Sequence, residues 1–279
     1  MTPSRRHFLA LSAAVGTAAM SGSALAGPAS SLIDDRWTRH GSGGDPDHGA
    51  WGSYLSRYLR TGTSDGVNLF DYAGAAGDRG ALKGYLDAMQ KVAPTSLSRD
   101  AAMAYWLNLY NAVTIDVVLD AYPVSSIRKV NGGLFNTGPW GDDVIRIEGQ
   151  DLSLDDIEHG ILRPVWRDAR IHYGVNCASI GCPNLAAKPY VSGRLNAMLD
   201  QGARDYAAHP RGATVAGGEV IMSSIYDWFI EDFGGNEAGA IAHVASFAPA
   251  AKAEALAGRT DVDDYRYDWA LNDAAGAAG

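Results

Sequence analysis

Cysteine is scarce in this chain, with only Cys177 and Cys182 in 279 residues. That excludes a framework of several disulfides. The seven histidines come with no C-x-x-C or H-E-x-x-H spacing, so no metal site is expected, and no cofactor either. Positive charge is also in deficit: 23 Lys and Arg face 32 Asp and Glu, for a net charge of −9. A polyanion binder needs a basic face that releases phosphate counterions, so nucleic acid is not an expected partner. Beyond the N-terminus no apolar run approaches the roughly 20 residues that cross a bilayer, and no stable membrane span is expected. There is no internal repeat.

What is present begins with Ser4-Arg5-Arg6-His7-Phe8-Leu9-Ala10, followed by an apolar run from Leu9 to Met20 and then by Ala24-Leu25-Ala26. Twin arginines, a short apolar core and a small-x-small site form the pattern of a twin-arginine export signal, cut after Ala26. An uncleaved anchor is the blander alternative. The reading places the mature protein in the periplasm, with the twin-arginine machinery as a transient partner. In that oxidising compartment two nearby cysteines form a bridge more readily than in the cytosol.

Residues 27–47, rich in Gly, Ser, Asp and Pro, read as a flexible linker, residues 48–272 as a single globular domain, and 273–279 as a disordered tail. Helical spacing runs through Trp51, Tyr54, Leu55 and Tyr58, and again through Leu82, Tyr85, Leu86 and Met89. The strongest helix spans Arg99 to Ala121, with Ser98 as its cap and Pro123 blocking its continuation. Val144 to Ile147 alternates like a strand before a Glu148-Gly149 turn, and Ser153 with Asp156 opens a helix that carries Glu158 and His159. Ile171 to Val175 reads as a central strand, Ala197 to Tyr206 as a helix, Glu219 to Met222 as a short strand and Ser224 to Phe233 as a helix. The class expected is α+β, helix-rich, with a small and mostly antiparallel sheet.

Chemistry concentrates in Arg170-Ile-His-Tyr-Gly-Val-Asn-Cys-Ala-Ser-Ile-Gly-Cys-Pro183. A cysteine becomes a nucleophile when its thiolate is favoured, usually by a helix N-terminus or a neighbouring imidazolium. Cys177 falls at the predicted end of a strand, where backbone N–H groups of the following turn are placed to hold an oxyanion. A Cys177–Cys182 disulfide and a redox-active pair are the competing readings. For the base, His172 lies five residues from Cys177, and strand parity would turn it to the opposite face. His159 on the preceding helix is therefore preferred, with Glu158 pointing about 100 degrees away around that helix. Asn108 and Asn111, three apart on one helix face, either lock nearby backbone or orient the catalytic groups.

Six ordered segments carry a resemblance to a known family. They are Tyr105-Trp-Leu-Asn-Leu-Tyr-Asn111, Tyr122-Pro-Val-Ser-Ser-Ile127, Leu152-Ser-Leu-Asp-Asp-Ile-Glu-His-Gly-Ile-Leu-Arg163, Arg170 to Pro183, Ser223-Ser-Ile-Tyr-Asp-Trp-Phe229 with Asp232-Phe233, and Tyr267-Asp-Trp-Ala-Leu-Asn272. In these the chain resembles the family labelled domain of unknown function 547, with Gly174 standing where the pattern carries alanine. The resemblance implies no activity, but it draws attention to Glu158, His159 and Cys177. A more distant analogy joins it to papain-like or transglutaminase-like thiol enzymes, with the histidine preceding the cysteine in a permuted order. The expected activity is that of a thiol hydrolase or acyltransferase acting on an amide or ester of a small-molecule or peptide-like envelope substrate. The expected site is Cys177, His159, Glu158, His172, Asn108 and Asn111. The alternative is a non-catalytic binding module, stapled by a Cys177–Cys182 bridge, with Trp140, Tyr173 and Trp228 lining a groove.

Overall fold

The Arg99–Ala121 helix is buried around nearly its whole circumference for its first five turns, from Ala101 to Ile115. A helix apolar on every side belongs at the centre of a fold, not on its surface. Tyr122 ends it in an extended conformation ahead of Pro123. Ser98 occupies the cap position, yet its side chain makes no capping bond; its carbonyl accepts from the Ala102 N–H instead.

The computed structural model describes residues 28–131 and 138–275. Around the central helix pack the helices Gly49–Tyr58 and Arg79–Met89, which bring Trp51, Tyr54 and Tyr85 into one core with Trp106 and Tyr105. A second core, built on Tyr173, Tyr206, Tyr226 and Phe233, lies among the helices Leu195–Ala208 and Glu237–Phe247 and a three-stranded sheet. In that sheet Ala213–Ala216 runs antiparallel to Glu219–Ser223, which pairs in parallel with Asp264–Arg266. Two further antiparallel pairs are Leu59–Arg60 with Leu69–Phe70 and Ile145–Ile147 with Gln150–Leu152. The second turns through Glu148 and Gly149, both at positive φ (45° and 82°), the conformation that a two-residue hairpin needs. The fold is thus helix-rich α+β, with its strands dispersed over three small sheets. Among the described residues no helix is long and apolar enough to cross a membrane.

Five expectations need correction or placing. Residues 28–47 are not a flexible linker, because Trp37 is buried edge-to-face against Trp106 with ring centroids 5.2 Å apart. Ile171–Gly174 is a short helix and not a strand. Ser224 to Phe233 is broken into Ile225–Trp228 and Ile230–Phe233, the latter closed by Gly234 at φ 100°. Of the tail, Asp273 is bound by the Tyr122 hydroxyl at 2.8 Å. The export signal and the last four residues lie outside the described residues.

Since Trp37 fills core space, Trp37→Ala should lower the unfolding free energy by ~3–5 kcal/mol. Urea denaturation measures this, and a loss below ~1 kcal/mol would return residues 28–47 to the status of a linker.

Candidate active site

Ser153 and Asp156 form the expected reciprocal cap: Asp156 Oδ2 accepts from the Ser153 N–H at 2.9 Å, and Ser153 Oγ accepts from the Asp156 N–H at 3.0 Å. The helix then widens into π turns over Asp156–Leu162. The wider winding frees carbonyls, and two of them accept from the N-terminal strap: His159 O from the Ser31 N–H at 3.0 Å and Gly160 O from the Ile33 N–H at 3.2 Å. The strap crosses so closely that a Cβ at position 160 would come within 2.5 Å of Ile33.

This segment buries Glu158 and His159, and the Ile171–Gly174 helix buries His172 beside them. The His172 ring lies between two carboxylates, with Nε2 2.7 Å from Asp232 Oδ2 and Nδ1 3.5 Å from Glu158 Oε1, and it stacks on Phe229 at 4.4 Å. Burial works against its charge, but the bonds from Asp232 and Glu158 prevail and raise its pKa. Burial likewise opposes ionisation of Glu158; His159, His172 and the Tyr110 hydroxyl outweigh it and hold the carboxyl down at about 2. With a carboxylate facing each nitrogen, His172 is an imidazolium and has no lone pair with which to act as a base.

His159 is the opposite case. Arg163 Nη1 sits 3.1 Å from its Nδ1. A guanidinium only donates, so Nδ1 accepts and Nε2 must carry the ring proton. Burial, with Arg163 alongside, pushes the ring down to about 4, so it is neutral near pH 7. Asp155 Oδ1 is 3.6 Å from Nε2, too far for a hydrogen bond. His159 therefore presents an N–H and not a base.

The thiols are held by a braced loop. Asn111 grips it at both ends of its amide, Nδ2 donating to Gly174 O at 2.9 Å and Oδ1 accepting from the Asn176 N–H at 2.8 Å. Asn176 in turn takes the Ala178 N–H at 2.9 Å and donates to Pro183 O at 2.8 Å. Asn108 clamps Tyr190 in the same two-ended way, at 2.8 and 2.9 Å. Both asparagines are buried and lock backbone, and Asn111 alone bears on the cysteine loop.

Within that loop both cysteines are free thiols. The Cys177 N–H donates to Cys182 Sγ at 3.0 Å, and the Tyr267 hydroxyl lies 3.1 Å from Cys177 Sγ and 3.0 Å from Cys182 Sγ. Burial opposes ionisation of Cys182, but the Cys177 thiol, Tyr267, the Cys177 N–H and Ser179 all favour its thiolate and bring it to about 7. The neighbouring Cys182 sulfur, followed by burial, pushes Cys177 well up. The negative charge therefore resides on Cys182, and Cys177 keeps its proton. Cys182 is the deeper sulfur, while Cys177 is half-buried. Behind them Arg211, seated over the Tyr206 ring at 5.7 Å, has buried Nε and Nη1 groups without a hydrogen-bond partner and lies in the field of Cys182 and Tyr267.

Several expected roles change accordingly. No helix follows Cys177, and the N–H groups of Ala178, Ile180, Gly181 and Cys182 are all spent on Asn176, Ala270, Asp268 and Ser179. The hydrogen-bond partners of the Cys177 sulfur are Ser179 and Tyr267, neither of them an imidazole. Strand parity, which excluded His172, does not apply to a helix. What unites Cys177, Cys182, His159, Glu158 and His172 is one cavity of ≈ 710 Å³ whose walls they share. Asn108 and Asn111 lie outside it. Trp140 and Trp228 line it, whereas Tyr173 is sealed in the second core. Among the described residues no group of three or more His, Cys, Asp or Glu is placed to hold a metal ion.

Tyr267, Asp232, Arg163 and Arg211 were assigned no role by sequence. The first three sit in segments of the family resemblance, the only signal that could have found them. A family model described as "Protein of unknown function, DUF547" matches residues 94–207, so over that stretch the chain resembles this family. The match takes in the central helix, the π segment and both cysteines, but not Asp232 or Tyr267. No curated protein and no solved structure matches the chain.

Glu158 and Asp232 are both held down at about 2, from 4.5 and 3.8. A carboxyl depressed by folding contributes stability that is present above its unfolded value and is lost as pH falls through its folded value. The unfolding free energy should therefore decline from pH 4.5 towards pH 2. Glu158→Gln, which leaves His172 with one carboxylate, should cost ~3 kcal/mol at pH 7 and flatten that decline; chemical denaturation across pH measures both.

Proposed function

We propose that this protein is a thiol hydrolase or acyltransferase acting on an amide or ester, exported to the periplasm by the twin-arginine route. The observation that carries the reading is the half-buried Cys177 on a cavity wall, its N–H donating to Cys182 Sγ at 3.0 Å and one hydroxyl, that of Tyr267, touching both sulfurs. The Arg5-Arg6 pattern and the apolar run after it support export.

In the proposed cycle Cys177 Sγ attacks the substrate carbonyl and its proton passes to the Cys182 thiolate. The His159 Nε2–H donates to the developing oxyanion, a role that the bonded N–H groups of Ala178, Ile180, Gly181 and Cys182 cannot fill. The C–N or C–O bond breaks, the leaving group takes the proton from Cys182, and a thioester to Cys177 remains. Water, or another acceptor nucleophile, then adds to the thioester and gives its proton to Cys182. Cys177 leaves as thiolate and recovers that proton. The sulfur pair thus does the work assigned to a cysteine and a histidine in the sequence-based expectation.

The two free thiols, bridged by the one Tyr267 hydroxyl, support a second reading, thiol–disulfide exchange, in which Cys177 and Cys182 become one disulfide as a substrate disulfide becomes two thiols. The test is alkylation of the native exported protein by iodoacetamide across pH, followed by exposure to a p-nitrophenyl ester and mass spectrometry. Two free thiols are expected, with an alkylation midpoint near 7 that Cys182→Ser moves up by about one unit or more. An acyl adduct on Cys177, lost in Cys177→Ser, is expected as well. Free thiols with no adduct favour exchange, and no free thiol favours a stapled, non-catalytic module.

A further inference from the structure

The cavity wall beside the sulfurs is aromatic, and that wall ends in a cation. The Tyr267 ring, whose hydroxyl touches both sulfurs, packs on Trp228 at 4.8 Å and on Trp269 at 4.6 Å. Trp140 meets Trp269 edge-on at 5.6 Å, and Trp228 stacks on it at 5.5 Å. All three tryptophans are only partly buried and all line the cavity. Beyond them the exposed Arg128 lies over Trp269, with its guanidinium carbon 5.2 Å from the ring centroid. Arg128 also lines the cavity, and no described carboxylate pairs with it. The Arg163 guanidinium, by contrast, is taken by Asp232, His159 and Pro28 O.

Half-buried tryptophans gathered at a cavity mouth offer flat apolar area whose desolvation a ligand completes. An arginine stacked on a ring keeps its N–H fork directed away from that ring, in the geometry that receives a carboxylate. Resting on the thiol reading above, we infer that the substrate carries a flat apolar group bearing a carboxylate, laid along Tyr267, Trp269 and Trp140, with the anion on Arg128. The scissile carbonyl at Cys177 is then two ring contacts from the anionic end.

The test is calorimetric binding of 2-naphthoate and its neutral isostere 2-naphthamide to the Cys177→Ser protein, which cannot turn over and so reports binding alone. The carboxylate should bind about fivefold more tightly than the amide, the weight of one partly exposed ion pair. Arg128→Gln should abolish that preference and Arg128→Lys should retain part of it. Trp269→Ala should weaken both probes together. Equal binding of the two probes, a preference untouched by Arg128→Gln, or no binding of either would overturn the inference. A carboxylate preference in a protein whose parent forms no acyl adduct would uphold this site and count against the hydrolase reading instead.

Discussion

The buried guanidinium of Arg163 is the group on which the arrangement of this site depends. Taking a cation out of water costs several kcal/mol unless acceptors surround it, and here three do so. Its Nε donates to Asp232 at 2.6 Å, and its Nη1 donates to Pro28 O at 2.7 Å and to His159 Nδ1 at 3.1 Å. Each bond fixes something different. The first pins the carboxylate that charges His172; the second ties the N-terminal strap to the cavity; the third decides which nitrogen of His159 bears a proton. The π turns serve the same geometry, since the strap bonds to the carbonyls that the widened winding releases.

Two electrostatic units result, and they divide the labour. Glu158, His172 and Asp232 form a carboxylate–imidazolium–carboxylate line that is complete in itself and has no proton-accepting capacity to spare. The sulfurs form the other unit, in which no imidazole contributes to the lowered pKa of Cys182. A histidine next to a cysteine in sequence invites the assumption that the two are chemically paired. Here the immediate neighbours of each nitrogen overrule it: carboxylates on both sides of His172, and a guanidinium on one side of His159.

Local signals were legible where local physics decides. The central helix, the Glu148-Gly149 turn and the Ser153–Asp156 cap all follow from spacing and from turn or cap chemistry, and all are present. Cys177 and Cys182, close in sequence, line one cavity wall together. Ile171–Gly174 was misjudged because a short run with Ile and Tyr has the composition of a strand. What holds it helical is tertiary: Asn111, more than sixty residues upstream, donates to its last carbonyl, that of Gly174, and accepts the Asn176 N–H just beyond it. Residues 28–47 have a linker's composition, and a single buried tryptophan overrides it. Tyr267 lies 85 residues from Cys182 and 90 from Cys177, so no window of spacing could have joined it to either sulfur.

One consequence of the loop's bracing joins the readings that divided the sequence. Ala178 is held at φ 60°, a left-handed conformation that costs about 1 kcal/mol for a residue with a side chain, and Asn176 secures it by accepting the Ala178 N–H. Adjacent to that turn, the Cys177 N–H points at Cys182 Sγ. The same turn therefore adds to the stabilisation of the Cys182 thiolate and holds the Cys177 backbone against the Cys182 sulfur. The nucleophilic role proposed for the pair would compete with oxidation of the two sulfurs in the oxidising compartment proposed for it. The Tyr267 hydroxyl, bonded to both sulfurs, is placed to bias that competition. It stabilises whichever sulfur bears the charge, a contribution that disappears once the two sulfurs are joined.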